Sequence, residues 1–177
     1  MGLKRRRKKY PMRKKKIYLD TSVISYLRQD DAPLQMKETQ QFWEFLKSGK
    51  YDVYISNMTV IELSNCAEPK RRELLSLLEE IEYIHINTEN NNEIVSLAEE
   101  VRNLGIFPAK KVFDHLHIAS AIYSGCNIIV SWNFEHMVNI KTIDGVRIIC
   151  LANNIAPLDI YTPPVLLERS DPNESDK

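Results

Sequence analysis

The sequence predicts an α/β fold, namely a three-layer α/β/α sandwich with a largely parallel central sheet. Short apolar segments that suit buried strands alternate with longer segments whose apolar residues recur at helical spacing. Residues 127–131 contain the unbroken apolar run Ile-Ile-Val, as expected of a strand that is covered on both faces. Because such alternation forms parallel sheets with helices on both sides, we expect functional groups at the carboxyl ends of the strands.

The strands are predicted from short apolar or alternating runs. The first run ends at Asp20, and the second ends at Ser56. We expect strands at residues 17–19, 51–56, 82–86, 127–131 and 146–150.

The helices are predicted from apolar spacing and from their start and stop residues. Ser56 or Asn57 can cap one helix, Pro69 can open another, and Gly105 and Gly125 follow two more. We expect helices at residues 22–28, 34–47, 57–63, 69–78, 90–104 and 111–124, and a short helix from residue 133.

Length and composition favour one domain. With 177 residues, 44% of them hydrophobic, the chain can build one ordinary core. We assign residues 16–152 to this domain, 1–15 to a basic leader and 153–177 to a C-terminal tail. No apolar run reaches the roughly 18 residues that cross a bilayer, and the N-terminus lacks the apolar stretch of a secretory signal. We therefore expect a cytoplasmic protein without a membrane partner.

The three cysteines predict neither a disulfide framework nor a zinc site. Cys66, Cys126 and Cys150 are odd in number, form no Cys-x-x-Cys pair and lie in apolar segments. We expect reduced, buried thiols.

The formal net charge of zero is unevenly distributed. Residues 1–16 hold ten of the 24 Lys and Arg and no acid, which leaves fourteen bases against 24 acids in the remainder. A polybasic arm can bind nucleic-acid phosphates, and it can equally be a solvated disordered tail. Met12 offers an alternative start, so the leader can also be a start-site artefact.

Three carboxylates far apart in the chain sit where an apolar strand or turn gives way to a helix. They are Asp20 in Tyr-Leu-Asp-Thr-Ser, Glu62 in Val-Ile-Glu-Leu and Asp114 in Phe-Asp-His-Leu-His-Ile-Ala. An acid among apolar neighbours is costly to bury unless its charge is compensated, and one divalent cation can compensate several acids. The pattern therefore indicates a metal site.

Each acid also has an ordinary alternative. Asp20 can be a helix N-cap, Glu62 can lie on a narrow polar stripe, and Asp114 can favour the helix dipole. If they converge, two carboxylates about 4 Å apart repel by roughly 4 kcal/mol at an effective dielectric near 20. A cation removes that repulsion, and an all-oxygen site favours Mg²⁺ or Mn²⁺ over zinc. We interpret His115 and His117 as packing or supporting groups.

Four segments together resemble the PIN-domain nucleases and, within them, the toxins of VapBC-type toxin–antitoxin pairs. The resemblance spans residues 16 to about 150. Its segments are Tyr-Leu-Asp-Thr-Ser-Val-Ile-Ser at 18–25, Ile-Ser-Asn-Met-Thr-Val-Ile-Glu-Leu at 55–63, Asp-His-Leu-His-Ile-Ala-Ser-Ala at 114–121 and Ile-Val-Ser-Trp-Asn-Phe-Glu-His at 129–136. It implies an acidic pocket that holds Mg²⁺ or Mn²⁺ and hydrolyses single-stranded or looped RNA, a small antitoxin partner, and homodimers.

The resemblance places Asp20, Glu62 and Asp114 as the first three acids of the pocket. At the fourth place, where the family often has an Asp, the chain has Asn133. An Asn brings no charge, although its carbonyl oxygen can coordinate a metal or bind a metal-bound water. We expect one firm metal site from Asp20 and Asp114, with Glu62 bound directly or through water, and a weak second site to which Glu135 adds little.

Neighbouring polar residues have supporting roles. We expect Thr21, Ser22 and Ser131 to hydrogen-bond the carboxylates or the scissile phosphate, unless they only cap helices. We expect Lys110, Lys111 and Arg28 to contact phosphates. Trp132 can stack on a base, but packing in the core is the simpler interpretation.

Other functions fit the sequence less well. A phosphatase with an aspartyl nucleophile needs a second Asp where the chain has Ser22, and a receiver domain needs an Asp near Asn87. The remaining alternative is a PIN-like module that has lost cleavage, with Asn133 as its sign, and binds RNA or a protein.

Overall fold

The central sheet has five strands that are all parallel. The computed structural model describes residues 14–168. The strands are β1 (Lys15–Leu19), β2 (Tyr51–Ser56), β3 (Ile84–Ile86), β4 (Ile128–Val130) and β5 (Asp159–Tyr161), in the order β3-β2-β1-β4-β5. The central strand is therefore β1, and the carboxyl ends of all five strands lie at the same edge.

Eight helices connect and cover these strands within the described residues. They are α1 (Thr21–Ser25), α2 (Pro33–Lys47), α3 (Asn57–Ser64), α4 (Lys70–Leu78), α5 (Asn92–Asn103), α6 (Val112–Tyr123), α7 (Ile140–Ala152) and α8 (Pro163–Glu168), with a 3-10 turn at Tyr26–Arg28 after α1. None of them is long and apolar enough to cross a membrane.

The alternation of side chains along β1 produces the three layers. Ile17 and Leu19 point into one hydrophobic core, and Tyr18 points into the other. The first core is formed with α1–α4 and α8, and the second with α5–α7. Tyr18 pairs with Tyr54 of β2 and Ile129 of β4, so β1 is buried on both faces and both edges. The predicted three-layer α/β/α sandwich is confirmed.

The C-terminal part of the prediction was wrong. Residues 146–150, predicted as a strand, lie in α7, where Val146, Ile149 and Cys150 are buried at helical spacing while Ile148 is exposed. The last strand is instead Asp159–Tyr161, and α8 follows it. The segment assigned to a tail thus contributes an edge strand and a packed helix. The short helix expected from residue 133 is a turn at residues 134–137.

The thiol prediction is confirmed for two of the three cysteines. Cys126 and Cys150 are free and buried, whereas Cys66 is free and half-buried. Burial raises the pKa of the Cys126 thiol to about 12, so it stays protonated at neutral pH. Most of the basic leader, residues 1–13, lies outside the described residues.

The packing of the edge strand β5 predicts that a substitution there, far from the N-terminal motifs, lowers the free energy of unfolding. Ile160 is buried in the second core, so Ile160→Ala should lower the free energy of unfolding by about 3 kcal/mol through lost burial and a cavity. Leu151→Ala on the exposed face of α7 should change it by less than about 0.5 kcal/mol. Urea titration monitored by circular dichroism measures both. Equal effects of the two substitutions would contradict the packing of β5.

Candidate functional site

The sheet brings the three predicted acids to its carboxyl edge. Asp20 directly follows β1, Glu62 lies on α3 directly after β2, and Asp114 lies in the first turn of α6. The Nε2 atom of His117 lies 2.8 Å from Glu62 Oε2 and 3.9 Å from Asp20 Oδ1, which places these two carboxylates around one imidazole. The charges of Asp20 and Glu62 also reach Asp114 and contribute to raising its pKa.

Two hydroxyl groups hold the carboxylate of Asp20. Asp20 occupies the N-cap position of α1, but its side chain makes no capping hydrogen bond. Its Oδ2 instead accepts hydrogen bonds from Ser22 Oγ at 2.5 Å and from Ser131 Oγ at 2.7 Å. These hydroxyls in turn accept the backbone N–H groups of Trp132 and Asn133, both at 2.9 Å. The buried carboxylate is thereby tied to the segment that follows β4.

A chain of hydrogen bonds holds Glu62. Its Oε2 accepts a short hydrogen bond from Thr21 Oγ1 and contacts His117 Nε2. The other ring nitrogen of His117, Nδ1, lies 2.6 Å from the hydroxyl of Tyr18, which lies 2.7 Å from Ser56 Oγ. The chain runs from the cleft to the buried face of β1, so it fixes the orientation of the Glu62 carboxylate.

The ionisation of this pair follows from its contacts. Burial opposes the charge of His117, but the hydrogen bond to Glu62 and the nearby charges of Asp20, Glu62 and Asp114 outweigh it and raise the pKa of His117. Burial likewise opposes the charge of Glu62, but the contacts with His117 and Thr21 lower its pKa on balance. When the imidazole is protonated, it donates to both Glu62 and Tyr18, and the Tyr18 hydroxyl then donates to Ser56.

Asp114 is the least compensated acid of the three. Burial raises its pKa, the charges of Asp20 and Glu62 add to this, and His136 and His117 counteract it. It accepts a long hydrogen bond from Asn133 Nδ2, at 3.5 Å. A cation next to this carboxylate would favour its ionised form.

Asn133 contacts both Asp114 and the turn that follows. Its Oδ1 accepts the backbone N–H of His136 at 2.9 Å, while its Nδ2 faces Asp114. The amide therefore serves as a donor to the carboxylate, with its carbonyl oxygen already accepting one hydrogen bond.

A cleft of about 480 Å³ opens beside these residues. It is lined by Glu62, Lys110, Lys111, Val112, Phe113, Asp114, Asn133, Glu135 and His136. Three acids and two lysines thus share one opening, and the buried Asp20 lies outside its lining. Arg28, expected to contact phosphate, lies 3.5 Å from Glu73 instead and does not line the cleft.

A second cleft, of about 510 Å³, lies at the opposite edge of the sheet, around the amino ends of β2 and β3. Its lining includes Lys47 and Glu80, whose side chains pair at 2.7 Å. Asp52 and Glu82 also line this cleft, but none of the three acids predicted from the sequence does.

Comparison with known proteins identifies the family. The profile described as PIN domain matches residues 17–135, which is more than half of the chain. The chain belongs to the PIN domain family. No curated protein matches the sequence.

The PIN fold is also found in a solved structure. The chain is similar to one in the crystal structure of VapBC2 from Rickettsia felis bound to a DNA fragment from their promoter, with a TM-score of 0.51. The sequences are 17% identical, and the similarity covers 82% of this chain and 97% of that chain. At this identity the likeness establishes the fold.

The side chains of this PIN domain fit a hard divalent cation by their chemistry. Asp20, Glu62 and Asp114 offer only oxygen atoms, the donors that Mg²⁺ and Mn²⁺ prefer. Asp114 is the least compensated of the three acids, which suits a ligand of a cation. Within residues 14–168, however, no three His, Cys, Asp or Glu side chains are already gathered closely enough to hold a metal ion.

Several residues of the PIN site were not evident from the sequence. In the sequence, Tyr18 is indistinguishable from an ordinary core residue. Its hydroxyl belongs to the site because it contacts His117, which lies 99 residues away in the chain. The residue spacing of α6 puts Asp114 and His117 on the same side of the helix, which was the available signal.

Trp132 is buried, donates from Nε1 to Thr39 Oγ1 at 2.7 Å and stacks on Tyr26, as the packing interpretation expects.

The pairing of Glu62 with His117 predicts a window of pH-dependent stability. Since the pKa of His117 is raised above 6.5, its contribution is complete below pH 6.5 and is lost as pH rises through the folded-state pKa. Since the pKa of Glu62 is lowered below 4.5, its contribution is complete above pH 4.5 and is lost as pH falls through the folded-state pKa. Both contributions are complete between pH 4.5 and pH 6.5, so we expect Glu62→Gln to destabilise the protein most in that range, by about 2 kcal/mol.

Urea titrations with EDTA at several pH values measure this difference. The control is Glu99→Gln on α5, because Glu99 pairs with Arg102 at the surface and an arginine stays charged. Its small effect should not decline between pH 6.5 and 8. A Glu62→Gln effect that grows above pH 6.5 would contradict the pairing.

Proposed function

We propose that this PIN domain protein is a metal-dependent endoribonuclease and the toxin of a toxin–antitoxin pair. The observation that carries the proposal is the convergence of Asp20, Glu62 and Asp114 beside a cleft that Lys110 and Lys111 also line. Such a site combines acids for a divalent cation with lysines for phosphates. Membership of the PIN domain family supports the nuclease assignment.

The three acids take different roles in this proposal. Asp20 and Asp114 hold Mg²⁺ or Mn²⁺, and Glu62 binds it directly or through water. When bound, the ion supplies a more acidic water and neutralises charge that develops on the scissile phosphate. Ser22 and Ser131 keep Asp20 in place through the hydrogen bonds described above.

Glu62 positions and accepts a proton from the attacking water. The hydrogen bonds that it accepts from Thr21 and His117 both reach the same oxygen, Oε2, and hold that oxygen in place. Its lowered pKa keeps it ionised at neutral pH, as a base requires. Lys110 and Lys111 contact the phosphates of the RNA on either side of the cut.

The proposed partner is a small antitoxin that covers the acidic rim and presents an Arg to the carboxylates. The similarity to a VapBC2 structure supports a partner of this kind. A cytoplasmic location, where transcripts and antitoxin meet, and a homodimeric state belong to the same proposal. Co-purification from the native host tests the partner.

Substitution of the acids tests the nuclease proposal. Asp20→Asn and Asp114→Asn should each reduce cleavage of a mixed RNA pool by on the order of 100-fold or more, because they remove charge from the metal site. Cleavage by the wild type should require Mg²⁺ or Mn²⁺ and stop with EDTA. The matched control is Asp144→Asn on the exposed part of α7, which should cleave like the wild type.

Equal cleavage by the wild type and the two site variants would overturn the proposal. Binding of RNA without any cleavage by the wild type would favour the alternative, a PIN module that has lost catalysis.

The residue at the fourth acidic position generates a separate prediction. Asn133→Asp adds a carboxylate next to Asp114, so it should keep or raise cleavage in Mg²⁺ and should increase the stabilisation that Mg²⁺ gives against urea. In EDTA the same variant should be less stable than the wild type, since the two carboxylates repel. A folded variant without activity would show that the amide itself, which donates to Asp114, is required.

A further inference from the structure

We propose that His136 binds a phosphate of the RNA strand through its Nε2 atom, an assignment that rests on the proposed nuclease function. His136 lines the same cleft as Asp114 and the two lysines. It follows Asn133 by three residues, in the turn after β4, and lies outside the roles assigned to the acids.

The ring of His136 is buried, yet one of its nitrogens is unused. The residue is 6% exposed, and Nε2 has no hydrogen-bond partner within residues 14–168. A buried polar atom without a partner is costly, so its retention on the wall of a cleft suggests a ligand that satisfies it. A phosphate oxygen is an acceptor that an imidazole N–H can bind in either its neutral or its charged form.

The backbone of His136 is fixed at both polar atoms. Its N–H donates to Asn133 Oδ1 at 2.9 Å, and its carbonyl oxygen accepts from Thr142 Oγ1 at 2.8 Å. The ring also lies 5.8 Å from that of Phe107. The imidazole is therefore held in position before any ligand arrives, which lowers the entropic cost of binding.

A neighbouring carboxylate marks where the anion would lie. Glu135 Oε1 is 3.4 Å from His136 Nε2, and the Glu135 side chain is 80% exposed. The contact lacks the geometry of a hydrogen bond. An exposed glutamate can move aside easily, so we assign its carboxylate to the position that a phosphate oxygen of the RNA takes.

The chain contains a matched control for His136. His115 is also buried, its ring stacks on Phe107 at 4.5 Å, and its Nε2 likewise has no partner in the described part of the chain. Unlike His136, it does not line the cleft. If the imidazole of His136 only packed against Phe107, substitution of His136 and of His115 should change RNA binding to a similar extent.

The test uses a fluorescently labelled single-stranded RNA oligonucleotide of mixed sequence. Its dissociation constant is measured by fluorescence anisotropy in EDTA, and KM and kcat are measured with Mg²⁺. His136→Phe should raise the dissociation constant and KM about tenfold, as expected for a lost hydrogen bond to a charged group. His115→Phe should leave both within about twofold. His136→Gln, whose amide can still donate, should retain most of the affinity.

Glu135 provides a second arm of the experiment. Glu135→Gln should lower the dissociation constant about threefold in the wild-type background and by less in His136→Phe, because the carboxylate competes for the same nitrogen. An equal change in both backgrounds would contradict this placement of the phosphate. The ring nitrogens are also observed directly by NMR in the unmodified protein, where RNA should shift His136 Nε2 and leave His115 Nε2 unchanged. If His136→Phe does not fold, this NMR measurement tests the phosphate contact without a variant.

The phosphate contact and the nuclease proposal can fail separately. Metal-dependent cleavage by the wild type, with unchanged affinity and KM in folded His136→Phe, overturns the contact alone. No cleavage by the wild type, with a tenfold weaker affinity of His136→Phe, overturns the nuclease proposal and leaves the contact supported. No binding of the oligonucleotide to the wild type overturns the contact.

Discussion

The buried carboxylate of Asp20, held by the hydroxyls of Ser22 and Ser131, is the interaction on which the rest of the site depends. A charge at the end of the central strand is expensive to bury, and two hydrogen bonds make it tolerable. The same hydroxyls accept the backbone N–H groups of Trp132 and Asn133, so the chain after β4 is shaped around the carboxylate. The turn that carries Asn133 and His136 starts from this arrangement, and the cleft takes one wall from it.

The three acids differ in how their charge is compensated. Asp20 has hydroxyl donors, Glu62 has an imidazole that its own presence helps to keep protonated, and Asp114 has one long contact from an amide. The least compensated charge of the three thus lies on Asp114, which lines the cleft. A cation is most favourable there, and the hydrogen bonds within the protein leave that position open to it.

The local parts of this architecture could be predicted from the sequence. The strand endings and the positions of the three acids follow from apolar patterns that extend over a few residues. The nature of α7 could not be predicted in this way, because Val146, Ile149 and Cys150 belong to a β-branched apolar run whose helical state is decided by packing against the second core. β5 has only three residues and exists because β4 offers it an edge. The role of His117 depends on Tyr18 and Glu62, which no local pattern connects to it.

The position of β1 in the middle of the sheet has a consequence for synthesis. Its first neighbour, β2, follows closely in the chain, but the other, β4, is made more than a hundred residues later, since Tyr18 pairs with Ile129. During synthesis, Asp20 leaves the ribosome before Ser131 does. β1 cannot pair with β4 until β4 has left the exit tunnel. A nascent chain therefore exposes the acid without the cleft. The complete site therefore requires that the chain through β4 and the turn after it has been synthesised.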